Sequence, residues 1–245
     1  TTTAAGGVNR GLDALAARFP DSLSSSGVGV LWRPDASLHV RTVAGRSMTE
    51  LHVPLTPAAE ILQTLGIAVQ ARPGAVNCLW GQAAWAYAED DLLRFLGGGL
   101  WLDAEAAAIL QQRGLGAYLP AVHRHWWQRE EMNYSVERPA DRAAGLEPHI
   151  AMSVNSFERV ACLGLSDGAA AWSTLCDPRD RRLGVGLAVG ANELGGRVAV
   201  SAWPLATEPN AYTLSVNRQR LVQRLIGHLA ERRDLPVMVG GAAFT

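Results

Sequence analysis

The stretch "RFLGGGLWLDAEAAAILQQRGLG", residues 94–116, decides the fold. "GLWL" (99–102) is a short apolar run with the length of a buried strand. Asp103 follows, and from there "DAEAAAILQQRG" carries the composition of a helix closed by Gly114. An aspartate before such a run is a favoured N-cap, and Glu105 adds favourable charge in the first turn. A strand-to-helix corner is also where several α/β enzymes hold a nucleophile. Asp103 and Glu105 are therefore candidates for catalysis as well as for capping.

Working outward, the first 120 residues repeat this alternation. "VGVLW" (28–32) reads as a buried strand. "TPAAEILQTLG" (56–66) reads as a helix with Thr56 as cap and Pro57 at its first position. "IAVQA", "AVNCLW" and "GLWL" follow as strands, and "EDDLLRFL" as a helix with acids in its first turn. Strands alternating with helices argue for a parallel sheet covered on both faces. From about 121 to 190 no long helical period appears. Short strands and turns there predict an antiparallel β-rich insertion or extension. "GGRVAVSAWPL" (195–205) then returns as a strand. "NRQRLVQRLIGHLAERR" (217–233) places Val222, Leu225, Ile226 and Leu229 on one helical face, and "LPVMVGG" predicts a last strand. Residues 1–27 read as an N-terminal helix (9–19) and a linker, with one α/β domain over 28–245.

Composition narrows the function. The chain has 245 residues, 48% hydrophobic and 18% charged, with a net charge of −1. It can bury a large core, and its charge gives no reason to expect nucleic acid or an anionic membrane as partner. All 22 basic residues are arginine, which excludes a lysine Schiff base and the lysine of a P-loop. Cys78, Cys162 and Cys176 form no metal-binding spacing and read as buried free thiols. No cofactor is implied, and no signal peptide is visible, so a cytoplasmic location is expected. The chain begins Thr1-Thr2-Thr3, without methionine, and reads as a domain cut from a longer protein.

The order of "VGVLW", "TPAAEILQTLGIAV", "AVNCLWGQAAWA", the 94–116 stretch and "GGRVAVSAWPL" resembles a class I glutamine-amidotransferase-like domain. It is similar to the version attached to β-galactosidase-like glycoside hydrolases. The resemblance implies a three-layer, flavodoxin-like architecture, a TIM-barrel domain preceding this one as partner, and a role in subunit contacts, with homo-oligomerisation and carbohydrate as further expectations. In active members the corner carries a cysteine nucleophile between small residues, with a histidine as base. Here Asp103 stands at that position, with Trp101 and Glu105 two residues away on either side. His149 and His228 are not part of a His-x-Glu pair. The resemblance thus implies a domain whose glutaminase chemistry is lost. The alternatives are a carbohydrate-active hydrolase using Asp103 with a second carboxylate, and a carbohydrate-binding module using tryptophans.

Further candidates come from local composition. In "HRHWWQREEMNY" (123–134), His123 and His125 alternate and are expected on one face of a strand. With Glu130 or Glu131 they are metal-ligand candidates. Trp126 and Trp127 are candidates for sugar stacking or for packing. Trp32, Trp80 and Trp203 fall at the expected C-terminal ends of parallel strands, where open α/β sheets bind ligands.

Overall fold

A computed structural model describes residues 27–31, 39–43, 46–50, 57–70, 73–128, 136–140, 152–153, 159–177, 179–206 and 216–230. The N-terminal helix, Trp32, Thr56, Glu130, Glu131, His149 and the last expected strand lie outside the described residues.

The strands are β1 (Val28–Val30), β2 (His39–Val43), β3 (Arg46–Glu50), β4 (Val69–Gln70), β5 (Val76–Leu79), β6 (Gly99–Leu102), β7 (Ala121–Gln128), β8 (Val136–Pro139), β9 (Met152–Ser153), β10 (Arg159–Leu165), β11 (Ala170–Cys176), β12 (Arg182–Ala191) and β13 (Arg197–Ser201). The helices are α1 (Pro57–Thr64), α2 (Glu89–Leu96), α3 (Ala104–Gln112) and α4 (Val216–Leu229).

The fold is α/β. Nine strands form one sheet in the order β4-β1-β5-β6-β13-β12-β11-β8-β9. The first five run parallel, and the last four complete the sheet in antiparallel pairs. The expected β-rich region therefore does two things. β8, β9, β11 and β12 extend the main sheet, while β7 and β10 pair separately with each other. The β2–β3 hairpin, not read from the sequence, is also separate.

The two halves differ as their sequences do. β5 and β6 are buried along their whole length, as apolar strands flanked by crossovers must be. Asn77, the one polar side chain in β5, exchanges hydrogen bonds with the Gly74 backbone (2.8 and 2.9 Å). β8 alternates half-buried and buried residues. α2 and α3 pack Leu92, Phe95, Leu96, Ile109 and Leu110 into the core. Gly99 and Gly196 allow backbone to meet backbone: a Cβ would lie 2.6 Å from the Leu229 carbonyl oxygen at Gly99, and 1.8 Å from that of Leu96 at Gly196.

Candidate functional site

The carboxyl ends of β5, β6 and β13 meet at one corner. β5 runs into Trp80 and a 3-10 helix, Gly81–Ala86. β6 runs into Asp103 and α3. β13 runs into Ala202–Ala206. Asp103 joins all three. Its Oδ1 accepts from the backbone N–H of Ala106 (2.8 Å) and of Gly81 (2.9 Å), and its Oδ2 accepts from Ala206 N–H (3.2 Å). Gly81 approaches with φ +59, in the left-handed region that favours glycine.

Asp103 itself has φ −84 and ψ 172. This is ordinary extended backbone for an N-cap, unlike the strained turn that presents a nucleophile. The side chain is fully buried, with Trp101 before it and Trp203 beside it equally enclosed. Burial pushes the Asp103 carboxyl up to about 7. The bonds from Ala106, Gly81 and Ala206 pull the other way, and the nearby Glu105 charge adds to the rise.

Glu105 is half-buried. Its Oε1 accepts from Gln82 Nε2 (2.5 Å) and lies 3.7 Å from Arg159 Nη2, on β10. Arg159 is stacked 4.3 Å from the Trp126 ring centroid, and Trp126 lies 4.9 Å from the His123 ring. β10 is tied to the same corner by a bond from Ala161 N–H to the Ala202 carbonyl (2.8 Å).

The expected pairing of His123 with His125 on one strand face is corrected here. β10 residues Cys162 and Leu163 are consecutive, yet they pair with His125 and His123, so Arg124 is an extra residue. Such a bulge shifts the alternation by one. His123 accordingly contacts Trp126, whereas His125 contacts Trp127 (4.9 Å). The Gln111 amide of α3 bonds both backbone groups of His123 (3.0 and 3.3 Å). Burial, the neighbouring His125 and Arg159 lower the His123 pKa. No cluster of three His, Cys, Asp or Glu side chains suited to a metal occurs among the described residues.

The tryptophans separate by burial. Trp80, Trp101 and Trp203 are core residues; Trp80 meets Trp101 edge to face at 4.9 Å, and Trp101 Nε1 donates to Ser201 Oγ (2.8 Å). Trp80 and Trp203 thus stand at strand ends as expected, but enclosed and not lining an open rim. Trp126 and Trp127 are half-buried.

A second buried carboxylate was not singled out from the sequence. Glu137 on β8 accepts from Arg218 Nη2 (2.8 Å), Trp203 Nε1 (3.2 Å) and Ser173 Oγ. Glu137, Ser173, Trp203 and Arg218 are all buried. Gly186 on β12 makes room for them, because a Cβ there would lie 2.7 Å from Glu137 Oε1. The available sign was a glutamate inside the strand "VERP", a residue type that is seldom buried unless paired.

No protein-family model matches the chain, and no curated protein does either. Solved structures with a similar shape exist. The cytoplasmic protein STM3548 from Salmonella typhimurium aligns over 78% of this chain and 94% of its own, with TM-score 0.51 and 13% identity. A β-galactosidase from Rahnella sp. R3 aligns over 74% of this chain and 28% of its own, with TM-score 0.48 and 11% identity. The cytoplasmic protein STM1381 from Salmonella typhimurium LT2 aligns over 76% and 93%, with TM-score 0.45 and 11% identity. At 13% identity the first of these shows a shared α/β fold, in a chain made almost wholly of it. Among the described residues no helix is long and apolar enough to cross a membrane.

Proposed function

We propose that this chain is a non-catalytic domain of the class I glutamine-amidotransferase-like type, flavodoxin-like in layering, that serves packing against a neighbouring domain or a second copy. The observation that carries the reading is Asp103. The residue at the position of a nucleophile is fully buried, and its carboxylate is occupied by three backbone donors. A reacting group must reach its substrate. The carboxylate of Asp103 instead joins three chain segments. Its neighbour Glu105 is already engaged by Gln82 and Arg159.

The test is an activity screen with a folding control. The purified chain is incubated with glutamine and with a panel of aryl glycosides, and ammonia and phenol release are followed. No turnover above the buffer blank is expected. Turnover that disappears in a folded Asp103→Asn or Glu105→Gln variant overturns the reading and restores a carboxylate-based hydrolase.

A further inference from the structure

We propose that Trp85, Gln82, Glu105 and Arg159 form a binding site for a neutral, hydroxyl-rich ligand, a saccharide. Gln82 and Trp85 are three residues apart in the Gly81–Ala86 3-10 helix, where side chains at i and i+3 eclipse. Both are exposed, and Trp85, at 51%, is the most exposed tryptophan among the described residues. Gln82 bonds Glu105, and Glu105 lies 3.7 Å from Arg159, so a row of amide, carboxylate and guanidinium starts one 3-10 turn from Trp85.

The platform is held before any ligand arrives. Arg113 Nη1 donates to the carbonyls of Ala84 (3.0 Å) and Tyr87 (2.8 Å), and Asp103 fixes Gly81 at the start of the same turn. Trp126 and Glu105 hold Arg159 from two sides. Such preorganisation lowers the entropic cost of binding. The position is the carboxyl edge of the parallel strands, where open α/β sheets bind ligands.

The chemistry selects the ligand. Glutamine offers a donor and an acceptor, glutamate acceptors and arginine donors, which together match vicinal hydroxyl groups. The charges of Glu105 and Arg159 cancel, so a free anion meets the carboxylate and a free cation meets the guanidinium. The indole face suits the C–H face of a pyranose. An apolar partner surface fits less well. Among the described residues, the other exposed large apolar side chains, Val122, Leu165, Leu194 and Val216, belong to β7, β10, the β12–β13 turn and the start of α4. Trp126 serves as a backing for Arg159 and not as the stacking face.

The experiment titrates the full chain with pentasaccharides of β-1,4-linked glucose, mannose, galactose and xylose, and with maltopentaose. Tryptophan emission and calorimetry report binding. At least one sugar should bind below about 10 mM, and Trp85→Ala should weaken it by about tenfold or more. Trp85→Phe should keep part of the affinity, and Glu105→Gln should lower it. If Trp85→Ala fails to fold by circular dichroism, Gln82→Ala decides in its place. A flat titration across the panel, or unchanged affinity in the folded variants, overturns the proposal. Hydrolysis is followed in the same samples. Turnover would overturn the non-catalytic reading and leave the binding result standing.

Discussion

Asp103 and Glu137 are both fully buried carboxylates, one at a corner of the parallel half of the sheet and one in the antiparallel half. Asp103 is solvated by backbone: three N–H groups from three segments, with no ion-pair partner among the described residues. Glu137 is solvated by side chains: a guanidinium, an indole and a hydroxyl. The difference follows from where each sits. Strand-to-helix corners leave orphan N–H groups, and an acceptor placed there satisfies them. An antiparallel strand uses its own N–H groups in the ladder, so a carboxylate on its face must find other side chains. The corner of the parallel half is thus joined through backbone donors, and the antiparallel half is joined to α4 through a buried ion pair.

The largest effect is expected on the side-chain arm of this comparison. Arg218→Met leaves Glu137 buried without its cation, which costs about 4 kcal/mol. Urea unfolding followed by circular dichroism measures it. The double variant Glu137→Leu/Arg218→Met should regain much of that loss, because no charge then remains buried. A single variant within about 1 kcal/mol of wild type would show that Glu137 is held by Trp203 and Ser173 alone.

Asp103→Ala comes next, at about 3 kcal/mol. Loss of a helix cap costs about 1 kcal/mol, and the N–H groups of Gly81 and Ala206 lose their acceptor as well. A measured loss of only about 1 kcal/mol would mean that the corner is a cap and nothing more. That outcome would remove the claim that Asp103 joins three segments.

The two carboxylates also differ in how far the sequence announces them. The role of Asp103 as cap, the run of α3 and the closing Gly114 (φ +83) follow from short-range rules, and the structure shows each of them. The bonds to Gly81 and Ala206 span 22 and 103 residues, and no local pattern encodes them. Glu137 is harder still, because none of its bonds is local: its partners lie 36, 66 and 81 residues away. His123 and His125 failed for another reason. Alternation holds only while the ladder is regular, and the extra Arg124 breaks it. Gly164, over which the Arg124 guanidinium lies, is the one sequence trace of that break. Trp85 carries no periodic signal in the sequence, because a 3-10 turn has neither the helical nor the strand period.

The smallest effect is in the pH dependence, and it isolates the backbone-solvated carboxylate. Burial raises the Asp103 carboxyl from 3.8 to about 7. Between those values the folded chain keeps a proton that the unfolded chain has released. Stability from this group is therefore full below its ordinary value and is lost as pH rises through about 7. Between about pH 6 and about pH 8 the loss amounts to about 1 kcal/mol. Asp103→Asn cannot titrate, so the difference in stability between it and wild type should change by that amount across the interval. His123 and His228, whose burial lowers their pKa, titrate in both proteins and cancel in the difference. Urea midpoints of both proteins at the two pH values supply the measurement. Parallel pH profiles would mean that the three N–H donors hold Asp103 ionised throughout, so that backbone alone solvates a buried charge as well as the Arg218 guanidinium does for Glu137.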